Sequence, residues 1–129
     1  MTGSHFNGVR CGISIYGLHP SPEASLPTGF RPVLRWVAQV AQVKALAAGD
    51  AVSYGNTYIA DRAPLPSSPW GYADGFPRSP RTWGHVLVGG QFAPIRGRVC
   101  MDQTMIDVTE ILEDGGSVRA GDVVLIGAQ

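Results

Sequence analysis

Tyr54 lies in the stretch Val52-Ser53-Tyr54-Gly55-Asn56, a phenol between a serine and a glycine. A phenol has an ordinary pKa of about 10, so it moves protons usefully only where neighbouring donors or positive charge favour the phenolate. Gly55, with no side chain, would let a ligand approach the ring. On residue type alone, a tyrosine at the end of an apolar run is more often a core or interface residue. Its company along the chain has to decide.

The other reactive side chains narrow the chemistry by what they fail to form. Serine occurs without a Gly-x-Ser-x-Gly elbow, and neither Cys11 nor Cys100 has a histidine at a local catalytic spacing. The two cysteines match no C-x-x-C or metal-finger pattern and are expected as reduced, partly buried thiols. His5, His19 and His85 are isolated from one another, so no metal site is expected. Asp102 and Asp107 are five residues apart in a strand-like segment and would face opposite ways, which makes a poor carboxylate pair. No G-x-G-x-x-G turn is present to hold a dinucleotide. Arg10 precedes an apolar run, where a guanidinium needs a partner or a water path, and an ion pair and a ligand contact are both open. Gly12 and Ile13 could offer backbone N–H groups to an anion if that strand end opens onto a site. Met101, beside Asp102 in "RVCMDQ", reads as a core filler on type alone.

The elements that must position these residues are short. The chain has 129 residues, 44% hydrophobic, with 10 basic and 10 acidic side chains. That is one soluble domain with a modest core and no compositional signature of disorder. Its 17 glycines and 10 prolines favour many short strands and specific turns. Zero net charge with interspersed signs argues against a nucleic-acid partner. No apolar run approaches a membrane span and no signal peptide opens the chain, so no membrane partner and a cytoplasmic location are expected.

Cys11–Leu18 reads as a buried strand ending in a glycine turn. Only ten residues precede it, so it resembles the last strand of a larger unit. The tract from His19 to Pro32, rich in Pro, Ser and Gly, is the best candidate for a boundary. Val33–Ala48 fits either period, and strand is preferred because "AAGD" closes it before "AVSYG" begins. Three prolines in "APLPSSPW", Ala63 to Trp70, argue against a central strand there. "GHVLVGGQFAPIRGRVCMDQTMIDVTE" reads as two or three strands joined by Gly-Gly and Ala-Pro turns, and "SVRAGDVVLIGAQ" as a further turn and strand.

Taken together, "VRCGISIYGLHPS", "AAGDAVSYGNTYIA", "GYADGFPR" and "GRVCMDQTMIDVT" resemble, in order and spacing, the alanine racemase family. The resemblance implies a mainly β fold: the β barrel of the family's C-terminal domain over residues 23–129, incomplete at its C-terminus. Residues 1–22 would be the remnant last strand of the α/β barrel that binds pyridoxal 5'-phosphate (PLP). It also implies an isomerase working as a head-to-tail homodimer on a small amino acid, interconverting L- and D-alanine for peptidoglycan. Tyr54 then resembles the base that acts on the L-alanine face within the partner subunit's site. A cofactor-bearing lysine would act on the opposite face. Met101 resembles the residue whose backbone N–H holds the substrate carboxylate, and Tyr72 a tyrosine lining the entrance. Arg10 resembles the arginine facing the pyridine nitrogen, and Gly12 and Ile13 the backbone contacts to the cofactor phosphate.

Two departures bear on activity. The single lysine, Lys44 in "QVAQVKAL", reads as a surface residue, and nothing resembles the cofactor-lysine segment. The chain alone is therefore expected to be an inactive part of a racemase. "APLPSSPW" stands where the family has a smooth β strand, at nearly constant length. GC-rich codons read one base out of register would produce such a tract, and a strand lost from the sheet is the expectation. Two other readings stand beside this one: a non-catalytic β interaction domain or gene remnant, and a serine or broad-specificity racemase.

Overall fold

A computed structural model of the chain describes residues 6–61, 63–78 and 84–127. They fall into two compact units, one within the first 35 residues and one over Trp36–Gly127.

Among the described residues the larger unit has nine strands: β1 Trp36–Gln39, β2 Gln42–Leu46, β3 Ala51–Val52, β4 Tyr58–Ile59, β5 Ala63–Ser68, β6 His85–Val88, β7 Gln91–Arg96, β8 Thr104–Ile106 and β9 Val123–Gly127. One short helix, α1 over Thr109–Glu113, lies between β8 and β9. Seven strands form one sheet in the order β1-β9-β6-β7-β8-β5-β2, all antiparallel, while β3 and β4 form a separate ribbon. The two edges, β1 and β2, are consecutive in sequence and separated by Val40 and Ala41 alone. In a flat sheet six inter-strand spacings would set them about 29 Å apart. Three Cα steps from Gln39 to Gln42 reach about 11 Å at most. The sheet must therefore curl on itself, and the mainly β, barrel-like architecture expected from the sequence is the one observed.

The ambiguous Val33–Ala48 segment resolves as strand. Trp36 and Ala38 face inward and Val40 is buried, while Val37, Gln39 and Ala41 are exposed. Beyond Ala41, Val43 packs against the main core and Leu46 against Val52. Val40 is pinned between the two strands: its N–H donates to the Asp122 carbonyl and its carbonyl accepts from the Gly121 N–H, both at 2.8 Å.

Three expectations are corrected. "APLPSSPW" does not interrupt the sheet: Ala63–Ser68 is β5, paired with β2 from Gln42↔Ser67 to Leu46↔Ala63. Backbone donors alternate sides along a strand, so Pro64 and Pro66 lack theirs on the same side. Pairing with β8 is confined to Ser67 and Ser68, beyond both prolines, and so survives. Ala93-Pro94 is no turn either. It lies within β7, where Pro94 pairs with His85 and its carbonyl accepts from the Asp107 N–H at 2.8 Å. In the smaller unit, the apolar Cys11–Leu18 run forms a 3-10 turn over Ile13–Tyr16 where an extended strand was expected. No ladder partner pairs with it among the described residues, so its backbone bonds close locally, from Ile15 N–H to the Gly12 carbonyl and from Gly17 N–H to that of Ser14. Gly17 is left-handed at φ 77°, and a Cβ there would lie 1.9 Å from the Arg31 carbonyl oxygen. His19 is satisfied within the same unit, its Nδ1 accepting the Leu26 N–H at 2.9 Å.

Candidate functional site

Tyr54 is delivered by the β3–β4 ribbon, whose ladder pairs Ala51 with Ile59 and Val52 with Tyr58. Val52 is buried against Leu46, Tyr58 and Met105, which anchors the ribbon. The turn beyond it is unusual: Ser53 sits at φ 67°, ψ −178°, Gly55 at φ 72° and Asn56 at φ 49°. This three-residue bend throws the Tyr54 side chain outward, leaving it 48% exposed.

A second segment, Gly71–Gly75, carries Tyr72. Trp70 and Phe76, each 2% exposed, clamp it from both sides, their rings edge-on at 4.5 Å. Full burial of such rings is worth roughly 1.5–3 kcal/mol each, so the turn is fixed by the core. Within it the Asp74 carboxylate accepts the Gly71 N–H at 2.9 Å. Gly71 is required by close approach: a Cβ there would meet the Cys100 and Met101 carbonyl oxygens at 2.3 and 2.4 Å.

Those carbonyls belong to the third segment, Gly97–Gln103. The Tyr72 N–H donates to Cys100 at 3.0 Å and the Ala73 N–H to Met101 at 2.8 Å. The Cys100 N–H closes back onto the Gln103 carbonyl at 2.9 Å. Met101 is therefore held by its carbonyl in a turn while its side chain is 53% exposed, outside the core that its residue type suggested. No bond from the Met101 N–H is found among the described residues. Ser53 joins the first segment to the third, its hydroxyl donating to the Arg98 carbonyl.

Arg78 completes the assembly. Its guanidinium lies 5.8 Å from the Tyr54 ring centroid and 5.4 Å from that of Tyr72. Such cation–π contacts contribute about 0.5–1 kcal/mol at exposed sites. Their further effect is to hold one positive charge between two phenols. Sequence reasoning took in Arg78 only as the last letter of "GYADGFPR" and assigned it no role. Its signal was a cation on the same loop as Tyr72, just past the buried Phe76.

A neighbouring network is structural. The Arg96 Nε donates to Asp107 Oδ2 at 3.1 Å, with a second guanidinium nitrogen at 3.0 Å, and Arg96 also covers the Tyr58 ring at 5.2 Å. Asp107 Oδ1 accepts from the Thr109 N–H at 3.0 Å and hydroxyl at 2.6 Å, at the first residue of α1. Burial would push the Asp107 carboxyl up, but the hydrogen bonds from Thr109 and the charge and hydrogen bond of Arg96 outweigh it and hold the group below its ordinary value.

Tyr54, Tyr72 and Met101 are thus brought together, whereas Arg10, Gly12 and Ile13 lie in the smaller unit, all exposed. The Gly12 and Ile13 N–H groups have no intrachain acceptor among the described residues and remain available to an anion. Two adjacent free N–H groups of this kind suit an anionic group such as a phosphate. Lys44 lies exposed within β2. Among the described residues no group of three or more His, Cys, Asp or Glu could hold a metal ion. No helix among them is long and apolar enough to cross a membrane.

Comparison with known proteins follows the same residues. The family profile described as "Alanine racemase, C-terminal domain" matches residues 33–129. An alanine racemase of Halothermothrix orenii is 50% identical over 123 residues, 94% of this chain and 31% of the relative. One from Listeria monocytogenes is 49% identical over 88% of this chain and 31% of its own length. The chain therefore spans about a third of the length of these relatives. Among solved structures, the alanine racemase of Bacillus anthracis with bound L-Ala-P matches with a TM-score of 0.81 at 40% identity, over 97% of this chain and 31% of that one. The enzyme of E. faecalis matches at 0.77 and 38% identity, over 92% of this chain and 30% of its own.

Proposed function

The chain belongs to the alanine racemase family, and on that premise we propose that it supplies a proton-transfer base and a substrate-facing surface to a PLP-dependent racemase of alanine. The single observation that carries this reading is that Arg78 bridges the Tyr54 and Tyr72 rings while the Tyr72 segment is hydrogen-bonded to the Met101 turn. Side chains held by such a constrained backbone yet left exposed are suited to meeting something beyond their own unit.

Tyr54 holds and returns a proton at its phenol oxygen on the L-alanine face, with the Arg78 guanidinium against its ring. The Met101 N–H donates to the substrate carboxylate. Tyr72 narrows the approach, so that only a small side chain fits and water is limited. Arg10, Gly12 and Ile13 would hold PLP at its ring nitrogen and phosphate, residues 1–22 being the end of the barrel that binds it. When bound, PLP supplies the electron withdrawal that makes an amino acid's α-hydrogen acidic. The lysine must come from a barrel segment outside this chain, and the chain alone does not racemise alanine. In the assembled enzyme, a head-to-tail homodimer of the cytoplasm making D-alanine for the cell wall, Tyr54 and Met101 reach the partner's barrel.

The test joins this chain to the barrel segment of the Halothermothrix orenii relative and follows exchange of the alanine α-hydrogen with deuterated solvent. Tyr54→Phe should slow exchange from L-alanine far more than from D-alanine. Equal effects on both isomers, or none, would remove Tyr54 from its role and leave a non-catalytic β domain.

A further inference from the structure

We propose that Ser53 is a positioning residue for Tyr54, its hydroxyl setting the spacing between the Tyr54 turn and the Met101 turn. The inference rests on the reading of Tyr54 as a proton-transfer base.

Ser53 occupies φ 67°, ψ −178°, a backbone region that is essentially glycine-only because a Cβ there crowds the adjacent peptide groups. Glycine would relieve the strain, yet serine stands in the strained position and the glycine stands opposite it. A Cβ on Gly97 would lie 2.8 Å from the Ser53 Cβ and 3.2 Å from the Val52 carbonyl oxygen. Gly97 therefore makes the room that the Ser53 side chain needs.

What serine adds over glycine is the hydroxyl. It donates to the Arg98 carbonyl and lies 3.6 Å from the Cys100 thiol, which is itself 3.8 Å from the same carbonyl. Ser53 directly precedes Tyr54, and Cys100 directly precedes Met101. The hydroxyl thus ties the residue beside the phenol to the Arg98 carbonyl and the Cys100 thiol of the segment that leads into Met101. Without it, the Tyr54 turn keeps the two-pair ladder, the packing of Val52, the Asn56 N–H bond to the Ser53 carbonyl and the Arg78 contact.

The test is fluorine NMR of the 129-residue chain labelled with 3-fluorotyrosine, the Tyr54 resonance being assigned through Tyr54→Phe. Ser53→Gly and Ser53→Ala should both shift and broaden the Tyr54 resonance and leave Tyr58 in place, while Ser53→Gly does not lower the melting temperature because its backbone is relaxed. The proposal is overturned if Tyr54 stays unchanged in Ser53→Gly or moves no more than Tyr58. It is equally overturned if Tyr54 of the unsubstituted chain already matches its urea-denatured position. In the barrel-joined enzyme, Ser53→Gly should lower kcat for L-alanine about tenfold with KM unchanged, as small displacements of a reacting group do, and an unchanged kcat also overturns it. If Tyr54→Phe has no kinetic effect, the catalytic reading of Tyr54 fails instead, and the NMR still decides whether Ser53 holds the turn.

Discussion

Tyr54 and Tyr58 stand four residues apart in one ribbon, and each lies beneath an arginine, yet the two pairs have opposite characters. Arg96 over Tyr58 is bound to Asp107, which Thr109 holds in turn, so every charge in that group is answered within the fold. Arg78 over Tyr54 has no carboxylate partner among the described residues and shares its charge between the exposed Tyr54 ring and the half-buried Tyr72 ring. The same pair of residue types is a closed structural fitting in one place and an open, chemically available one in the other. The difference lies in second partners, not in the tyrosines.

Four experiments break or sharpen that contrast. Tyr54→Phe in the barrel-joined enzyme should lower exchange from L-alanine by roughly 10²–10⁴-fold, the usual yield of a positioned base, whereas Tyr58→Phe should change it less than about twofold. Comparable losses from both would erase the distinction. Gly71→Ala drives a Cβ into two carbonyl oxygens and should cost about 3 kcal/mol in urea denaturation. It would loosen Tyr72 and Met101 together while the Arg96–Asp107 group stays intact.

Asp107→Asn should cost about 2 kcal/mol, less than the roughly 3–5 kcal/mol of a fully buried pair because Arg96 reaches solvent. The pH dependence has a definite sign. The Asp107 carboxyl is depressed in the folded state, so its contribution is complete above an unfolded value of about 3.9 and disappears as pH falls through the lower folded value. Acid titration of stability should therefore be flatter below that point in Asp107→Asn. The smallest effect belongs to Arg78→Ala, expected to change stability by less than about 1 kcal/mol. A loss as large as that of Asp107→Asn would mean that Arg78 too is structural.

Much of the barrel was legible from local pattern. The Val33–Ala48 segment fitted either period and was legible as strand only through the turn that closes it at Gly49, while Gly89-Gly90 marked the β6–β7 hairpin. α1 escaped because its signal is short, five residues from Thr109 to Glu113 with no side-chain cap on Val108. Within the candidate site, Tyr54, Tyr72 and Met101 could be singled out by their surroundings in sequence, but Arg78 could not. Its importance is a distance to two rings contributed by separate segments. β5 was misread for a related reason: proline is harmful only where a neighbour needs its missing donor, and neighbours are not written locally.

The residues alone determined a β-rich chain, its turns and its family, because strand alternation, glycine geometry and motif spacing are properties of contiguous sequence. Tertiary structure alone decided that one extended run closes both edges of the sheet, that two prolines sit harmlessly in β5, and that Ser53, Gly97 and Arg78 converge on Tyr54. Each of these depends on which backbone donors, carbonyls and charges meet across tens of residues. Such meetings come from packing the whole sheet, and no local preference encodes them.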